Sequence, residues 1–410
     1  MKPDNLTMNR RKWMTLTGAT LALRPALAGP QAAAEPSPEE LEKVLPDKLL
    51  LKDYRPKSIY KIPQTNIEKA RHPAVDVHCH ARARKPEEVD ELVKIMDKAG
   101  VERTVVFSGT GERFDETYRL YSRYPKRFDV WCGFDMRGVD QPGFGPAAVR
   151  ELERCHKVGA VGVGEITDKG MGIGGRIAGP ANWQGTRPPG GGGTGPQPGP
   201  PVRGLHPDEP GMDPLWQKCA ALGMPVNLHM SDPYWSYQPQ NRYNDGLMNG
   251  FSWRMDDKPG LMGHNELVES LERTLKRHPK TVFIACHLAN LDYDLTRLGQ
   301  MLDRNANMYA DISARFAETA AIPRFTAQFL KKYAHRVCYG TDMPYNQRMF
   351  STTYRILETL DEHFYEQDLY FNFNYHWPMH GFGLPDDVLK KIYRESALNA
   401  FKMARSSAVV

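Results

Sequence analysis

From residue 74 onward the chain alternates short, wholly apolar runs with longer stretches whose apolar residues recur every three to four positions. The second pattern predicts helices, and the first predicts strands buried on both faces. The strand candidates are 74–80, 104–109, 128–135, 160–166, 225–230, 281–288, 308–313 and 337–343. Between them lie helix candidates 86–99, 146–157, 214–222, 264–277, 291–305, 323–333 and 351–363, and a last helix spans 385–404. Eight strands alternating with helices predict an α/β fold, a (β/α)8 TIM barrel over residues 72–404. A doubly wound open sheet is the alternative. No Gly-x-Gly-x-x-Gly follows the first strand, which weakens a dinucleotide-binding version of it.

Two interruptions stand out. Residues 170–211 form an insertion after the fourth strand, with Arg187-Pro188-Pro189-Gly190-Gly191-Gly192-Gly193 and Pro196-Gln197-Pro198-Gly199-Pro200-Pro201. Such composition does not bury a core, so the insertion is expected to be an inert flexible segment, with a lid over the barrel mouth as the alternative. Residues 365–384 are rich in rings, including Tyr370, Phe371, Phe373, Tyr375, Trp377 and Phe382, expected to pack on the barrel or to wall a pocket. His376 and His380 fall there, on no predicted strand end.

Composition narrows the class. With 40% hydrophobic and 25% charged residues, the 410-residue chain reads as an ordinary globular protein. Lys2, Arg10, Arg11, Lys12 and Arg24 against Asp4 place four of its five net positive charges in residues 1–34. The remainder is nearly neutral, with no global pull toward nucleic acid or an anionic membrane. Arg10-Arg11 before Trp13, an apolar stretch to Leu23, and Ala-rich cleavage sites predict a twin-arginine export signal over 1–34 and a periplasmic or extracellular protein. Residues 35–71 then form an N-terminal arm, and 405–410 a tail. Six scattered cysteines without a Cys-x-x-Cys read as buried small hydrophobes. No run is long enough to span a membrane.

The chemistry sits at predicted strand ends. In Asp76-Val77-His78-Cys79-His80, positions 78 and 80 share one strand face, about 7 Å apart, where two imidazoles can grip one metal ion. Glu165 ends the fourth strand, His229 the fifth, His287 the sixth and Asp342 the eighth. In a barrel these ends converge on one mouth, so five strands together deliver a metal site. Arg315 follows the seventh strand; its fork suits a substrate carboxylate, or equally a structural salt bridge. Asp311 is read as mid-strand and structural.

Five motifs in this order resemble the amidohydrolase superfamily over about residues 55–404, in particular the branch of aminocarboxymuconate-semialdehyde decarboxylase, aromatic-acid decarboxylases and lactone hydrolases. They are Val75-Asp76-Val77-His78-Cys79-His80, Pro225-Val226-Asn227-Leu228-His229, Ala285-Cys286-His287-Leu288, Gly340-Thr341-Asp342-Met343-Pro344 and Glu395-Ser396-Ala397-Leu398-Asn399-Ala400. The resemblance implies a divalent metal on His78, His80, His229 and Asp342, zinc first, with Mn2+ or Fe2+ also suited. It implies one ion, or two if Glu165 is a ligand as in TatD-type nucleases; otherwise Glu165 orients a ligand histidine. Asp342 would also serve as general base, and His287 would steady an oxyanion or donate a hydrogen bond to substrate.

The expected activity is hydrolysis of an ester, lactone or amide by a metal-activated water. Non-hydrolytic decarboxylation of an aromatic or muconate-like acid is the alternative, with a TatD-type phosphodiesterase third. A non-catalytic exported binding protein is a fourth reading. The expected partner is a small-molecule substrate, and homodimers are common in the branch.

Overall fold

The structure is a computed structural model. It describes residues 43, 45–176, 178–179, 197–198, 201–258, 260–366 and 375–408. The predicted export signal, most of the glycine-proline insertion, and Tyr370, Phe371 and Phe373 lie outside the described residues. The chain divides into two units, 1–53 and 54–410. In the first, the described residues include a backbone turn from Leu45 to Lys48 and a short 3-10 turn, Leu51–Asp53.

Among the described residues, two parallel sheets of the second unit carry eight strands, and Ala178–Gly179 pairs separately with Gln197–Pro198. Strands β1 (Ala74–His80), β2 (Val101–Phe107) and β3 (Phe128–Trp131) pair in that order. Strands β4 (Val163–Asp168), β5 (Val226–Met230), β6 (Phe283–Ala285), β7 (Met308–Asp311) and β8 (Val337–Cys338) pair in sequence in a second sheet. Regular pairing stops at both seams, and single backbone hydrogen bonds carry the ring across. At one seam Gly164 N donates to Cys132 O (2.9 Å); at the other Val77 N donates to Tyr339 O (3.0 Å) and Asp342 N to His78 O (2.9 Å). This is the predicted α/β barrel. Its strands are buried almost throughout, because helices cover the outside and side chains fill the inside.

Helices follow where the apolar period predicted them. Pro86–Ala99 starts on its proline and stops at Gly100, whose φ of 78° ends it in the left-handed region. Gly111–Tyr121, after β2, carries two buried rings among many charges, and the sequence reading passed over it. The expected last helix is broken: Asp386–Lys390 leads through one π turn into Ser396–Ser407. That final helix closes the barrel interior. Ring contacts run from His78 to Phe107 (4.9 Å), Phe107 to Trp131 (6.0 Å) and Trp131 to Phe401 (5.9 Å).

Candidate metal centre

The pairing of β1 with β2 slips register between Asp76 and Cys79, a bulge of the kind that re-aims side chains beside active sites. Asp76 pins this bend. Its Oδ1 accepts from the backbone N–H of His78 and of Thr341 (both 3.0 Å), and its Oδ2 from Thr341 Oγ1 (2.7 Å). One buried carboxylate thus ties β1 to the loop that carries Asp342. Burial pushes its carboxyl up to about 6 against those hydrogen bonds.

Glu165 is the hub. Its Oε1 lies 2.5 Å from His229 Nδ1, 3.4 Å from His287 Nε2 and 3.5 Å from His78 Nε2, and its Oε2 lies 3.4 Å from His80 Nε2. Only glycine fits before it: a Cβ on Gly164 would stand 2.8 Å from the Phe107 ring and 2.9 Å from Asn227 Cβ. Asp342 faces the same histidines, its Oδ1 3.2 Å from His80 Nε2 and 3.7 Å from His78 Nε2, its Oδ2 3.8 Å from His287 Nε2. His78, His80, Glu165, His229, His287 and Asp342 therefore meet at one mouth.

Two of them are not on strands. β6 ends at Ala285, and His287 sits in a turn in which His287, Leu288, Ala289 and Asn290 all have φ between 52° and 58°. Four consecutive left-handed non-glycine residues cost of order 1 kcal/mol each. Anchors hold them: Asn290 Nδ2 donates to the carbonyls of Met230 (2.9 Å) and Ser231 (3.2 Å), and Asp311 Oδ1 accepts from His287 N (2.9 Å). β8 ends at Cys338, and Asp342 follows with a φ of 48°. Both side chains are delivered by strained turns, contrary to the strand-end expectation.

The hydrogen-bond network assigns the tautomers. His287 Nδ1 is 2.9 Å from the Ser313 carbonyl, which only accepts, so Nδ1 carries the proton and Nε2 presents a lone pair. Burial and the neighbouring His229 push His287 down to about 4, which keeps it neutral. With Nδ1 protonated, a neutral His287 offers Nε2 as a base or a ligand, 3.4 Å from Glu165 Oε1. His78 Nδ1 faces Asp311 Oδ2 (3.1 Å) and His229 Nδ1 faces Glu165, so both present Nε2 inward. Those two Nε2 atoms are buried and have no hydrogen-bond partner. Burial opposes charge on Glu165, but His229 and His78 outweigh it and hold its carboxyl well below the usual range.

Asp311 is the last residue of β7, not mid-strand, and it orients both His78 and the His287 backbone. Ser313 joins it, its hydroxyl 3.0 Å from His78 Nδ1 and 2.9 Å from His287 Nδ1. Asp232 lies 4.0 Å from His229 Nε2 and pairs at 2.6 Å with the buried Lys169. The sequence reading missed Ser313, Asp232 and Lys169; polar residues just past buried strands were the available signal. Arg315 stays outside the cluster. It is buried among Asp292 (3.5 Å), Glu318 (3.4 Å) and the side chain of Asn290, so its charge is already engaged by protein. His380 also lies apart, against His363 N (3.2 Å).

The donor set fits a divalent cation. Donor atoms of three overlapping triads lie within 4.8 Å of one another: His78–His80–Glu165, His78–His287–Asp311 and Glu165–His229–His287. Imidazole with carboxylate suits zinc, manganese or iron, and buried orphan nitrogens are what such an ion satisfies.

No curated protein matches the chain. Among solved structures it is similar to 2,6-dihydroxybenzoate decarboxylase from Rhizobium, at 18% identity over 81% of this chain and 99% of that one, with a TM-score of 0.44. It is also similar to 4-oxalomesaconate hydratase from Rhodopseudomonas palustris (14% identity, 82% and 97% covered, TM-score 0.44). A third is an amidohydrolase from Burkholderia multivorans with bound HEPES (12% identity, 80% and 99% covered, TM-score 0.41). The family model described as amidohydrolase matches residues 75–403, a span that opens inside β1 and closes inside the last helix. A sequence match of that extent, over a barrel whose mouth gathers four imidazoles and two carboxylates, means that the chain belongs to the amidohydrolase family.

Proposed function

We propose that this chain is a metal-dependent hydrolase of an ester, lactone or amide. The observation that carries the reading is the pair of buried nitrogens without a hydrogen bond, His78 Nε2 and His229 Nε2, which stand 3.5–4.0 Å from carboxylates and sit on rings whose other nitrogen faces a carboxylate as well. Leaving a buried acceptor unmade costs about 1–3 kcal/mol, so two in one site call for a cation. His78, His80, His229 and Asp342 would hold it, with zinc the first choice, and Glu165 would either join them or orient His229. When bound, such an ion acts as a Lewis acid and brings water within reach of ionisation near neutral pH.

The chain's own groups do the rest. Asp342 faces two histidines that keep its carboxyl ionised against the penalty of burial, so it can take a proton from an attacking water. His287, neutral with its lone pair at Nε2, can accept that proton and pass it to the leaving group. Asp311 and Ser313 fix the rings in place. Decarboxylation of an aromatic acid on the same donors is the second reading, favoured by a cavity walled by Tyr234, Trp235, Tyr293 and Trp377.

The test is metal quantification followed by a panel of esters, lactones, amides and aromatic acids. We expect hydrolysis that disappears on chelation and returns with zinc. Turnover by metal-free protein overturns the reading, and carbon dioxide release without hydrolysis replaces it with the second. Export by the twin-arginine route is proposed on Arg10-Arg11 and the apolar stretch after them; an intact Met1 on secreted protein overturns it.

A further inference from the structure

Lys169 and Asp232 stand where two neighbouring strands end. β4 and β5 pair through Asp168 and Met230, so Lys169 comes one residue past that rung and Asp232 two. Hydrogen bonds fix both exits. Asp168 Oδ1 accepts from Gly170 N and Gly172 N (both 2.9 Å), which curls the chain just after Lys169. Ser231 N donates to Asp168 O (2.9 Å), and Ser231 takes a φ of 64°. After that left-handed step Asp232 lies against the ring of His229, three residues back.

The two side chains pair at 2.6 Å, Lys169 Nζ on Asp232 Oδ1, with only 5% and 3% of their surfaces exposed. The Trp253 ring covers the ammonium, its centroid 5.1 Å from Nζ. Such a buried pair is poor evidence of stability, because apolar residues of similar volume often serve as well or better. Its position gives it another use. Glu165 faces Nδ1 of His229, whereas Asp232 faces Nε2, the nitrogen without a hydrogen bond. Asp232 Oδ1 lies 4.0 Å from that nitrogen, too far for a hydrogen bond. A zinc–imidazole bond is about 2.0–2.1 Å, so an ion on Nε2 lies within about 6 Å of the Asp232 carboxylate in any direction.

We infer that Asp232 and Lys169 are positioning residues of the metal centre: Asp232 supplies negative charge to the ion at His229, and Lys169 fixes that carboxylate and moderates its charge. At about 6 Å and an effective dielectric of about 20, one charge more or less changes the affinity for a divalent ion by more than about tenfold. The two residues therefore act on the ion with opposite signs. A bridge that only held two loops together would act on the fold and leave metal affinity alone. The inference deepens the metal-dependent reading and rests on it for the presence of the ion.

Competition for Zn2+ between the full-length protein and a chelator tests it, with circular dichroism to confirm folding. Asp232→Asn keeps the shape and loses the charge; it should weaken zinc retention about 10- to 100-fold, the range for groups that act on a metal from behind its ligands. Lys169→Gln keeps a donor for Asp232 and loses the opposing charge; it should tighten retention on the order of tenfold. Removing one partner of a buried pair can unfold a chain. The exchanged variant, Lys169→Asp with Asp232→Lys, therefore keeps a pair and reverses its polarity, and it should weaken retention by at least about tenfold. Native affinity in Asp232→Asn or in the exchanged variant overturns the inference alone, as does native or weaker affinity in folded Lys169→Gln. A native chain that retains no zinc overturns the metal-dependent reading itself.

Discussion

Two groups of buried charge lie next to each other at the barrel mouth and are built in opposite ways. In the metal centre, Glu165 and Asp342 face four imidazoles, and lone pairs on His78 and His229 are left over, aimed inward. In the neighbouring group, Arg315 is wrapped by Asp292, Glu318 and Asn290, so that its charge is met by two acids within the protein. The first arrangement concentrates donors on a point and suits an ion. The second spreads one cation over two acids and settles buried charge within the protein. Surplus lone pairs on nitrogen thus set the metal centre apart from an ion-paired group a few residues away.

The comparison breaks most sharply at His229. His229→Ala should abolish metal retention and reduce turnover to background, measured by elemental analysis and the substrate panel. Full activity would sink the metal centre. On the other side, Arg315→Met leaves two buried acids without their cation. It should destabilise the fold by about 3–5 kcal/mol, read by denaturant titration, with metal content unchanged in the folded fraction. A variant that keeps its stability but loses metal would show that the two groups are one.

Protonation separates them next. His264 packs against Tyr234 and Tyr293 on the cavity side and donates from Nε2 to Asn290 O (3.0 Å). Burial pushes it down from 6.5 to about 4. A histidine with a depressed folded pKa binds fewer protons folded than unfolded, so its contribution to stability is present above pH 6.5 and is lost as pH falls toward 4. The loss is about 3 kcal/mol across that window. Unfolding titrations should show it, and His264→Phe should flatten the profile; an unchanged slope would reject the assignment. The smallest effect is expected at Asp311. Asp311→Asn should weaken metal affinity by about 10- to 100-fold, as for the loss of a group that orients a ligand histidine. Competition with a chelator reads it, and an unchanged affinity would make Asp311 purely structural.

Much of this was legible in the chain, for identifiable reasons. β1 was predicted with the observed bounds because Ala74–His80 is an apolar run ending in polar residues. The helices Pro86–Ala99, His264–Arg277 and Pro323–Tyr333 also have their predicted ends, where apolar period and termini agree. β6 and β8 came out far shorter than predicted, because apolar residues continue past the strand into turns that are just as buried. Hydrophobicity reports burial, and here burial outlasts the strand. Asp311 was read as structural for the same reason, its strand being expected to run on to Ser313.

The sequence by itself determined the alternating order of elements and the chemical identity of the donors, because period and residue type are local properties. Tertiary structure decided which nitrogen of each imidazole faces inward and where Arg315 spends its charge. It also decided that Glu165 stands between four histidines. Those are relations between residues tens to hundreds of positions apart, set by how loops from different strands pack, and no local pattern records them.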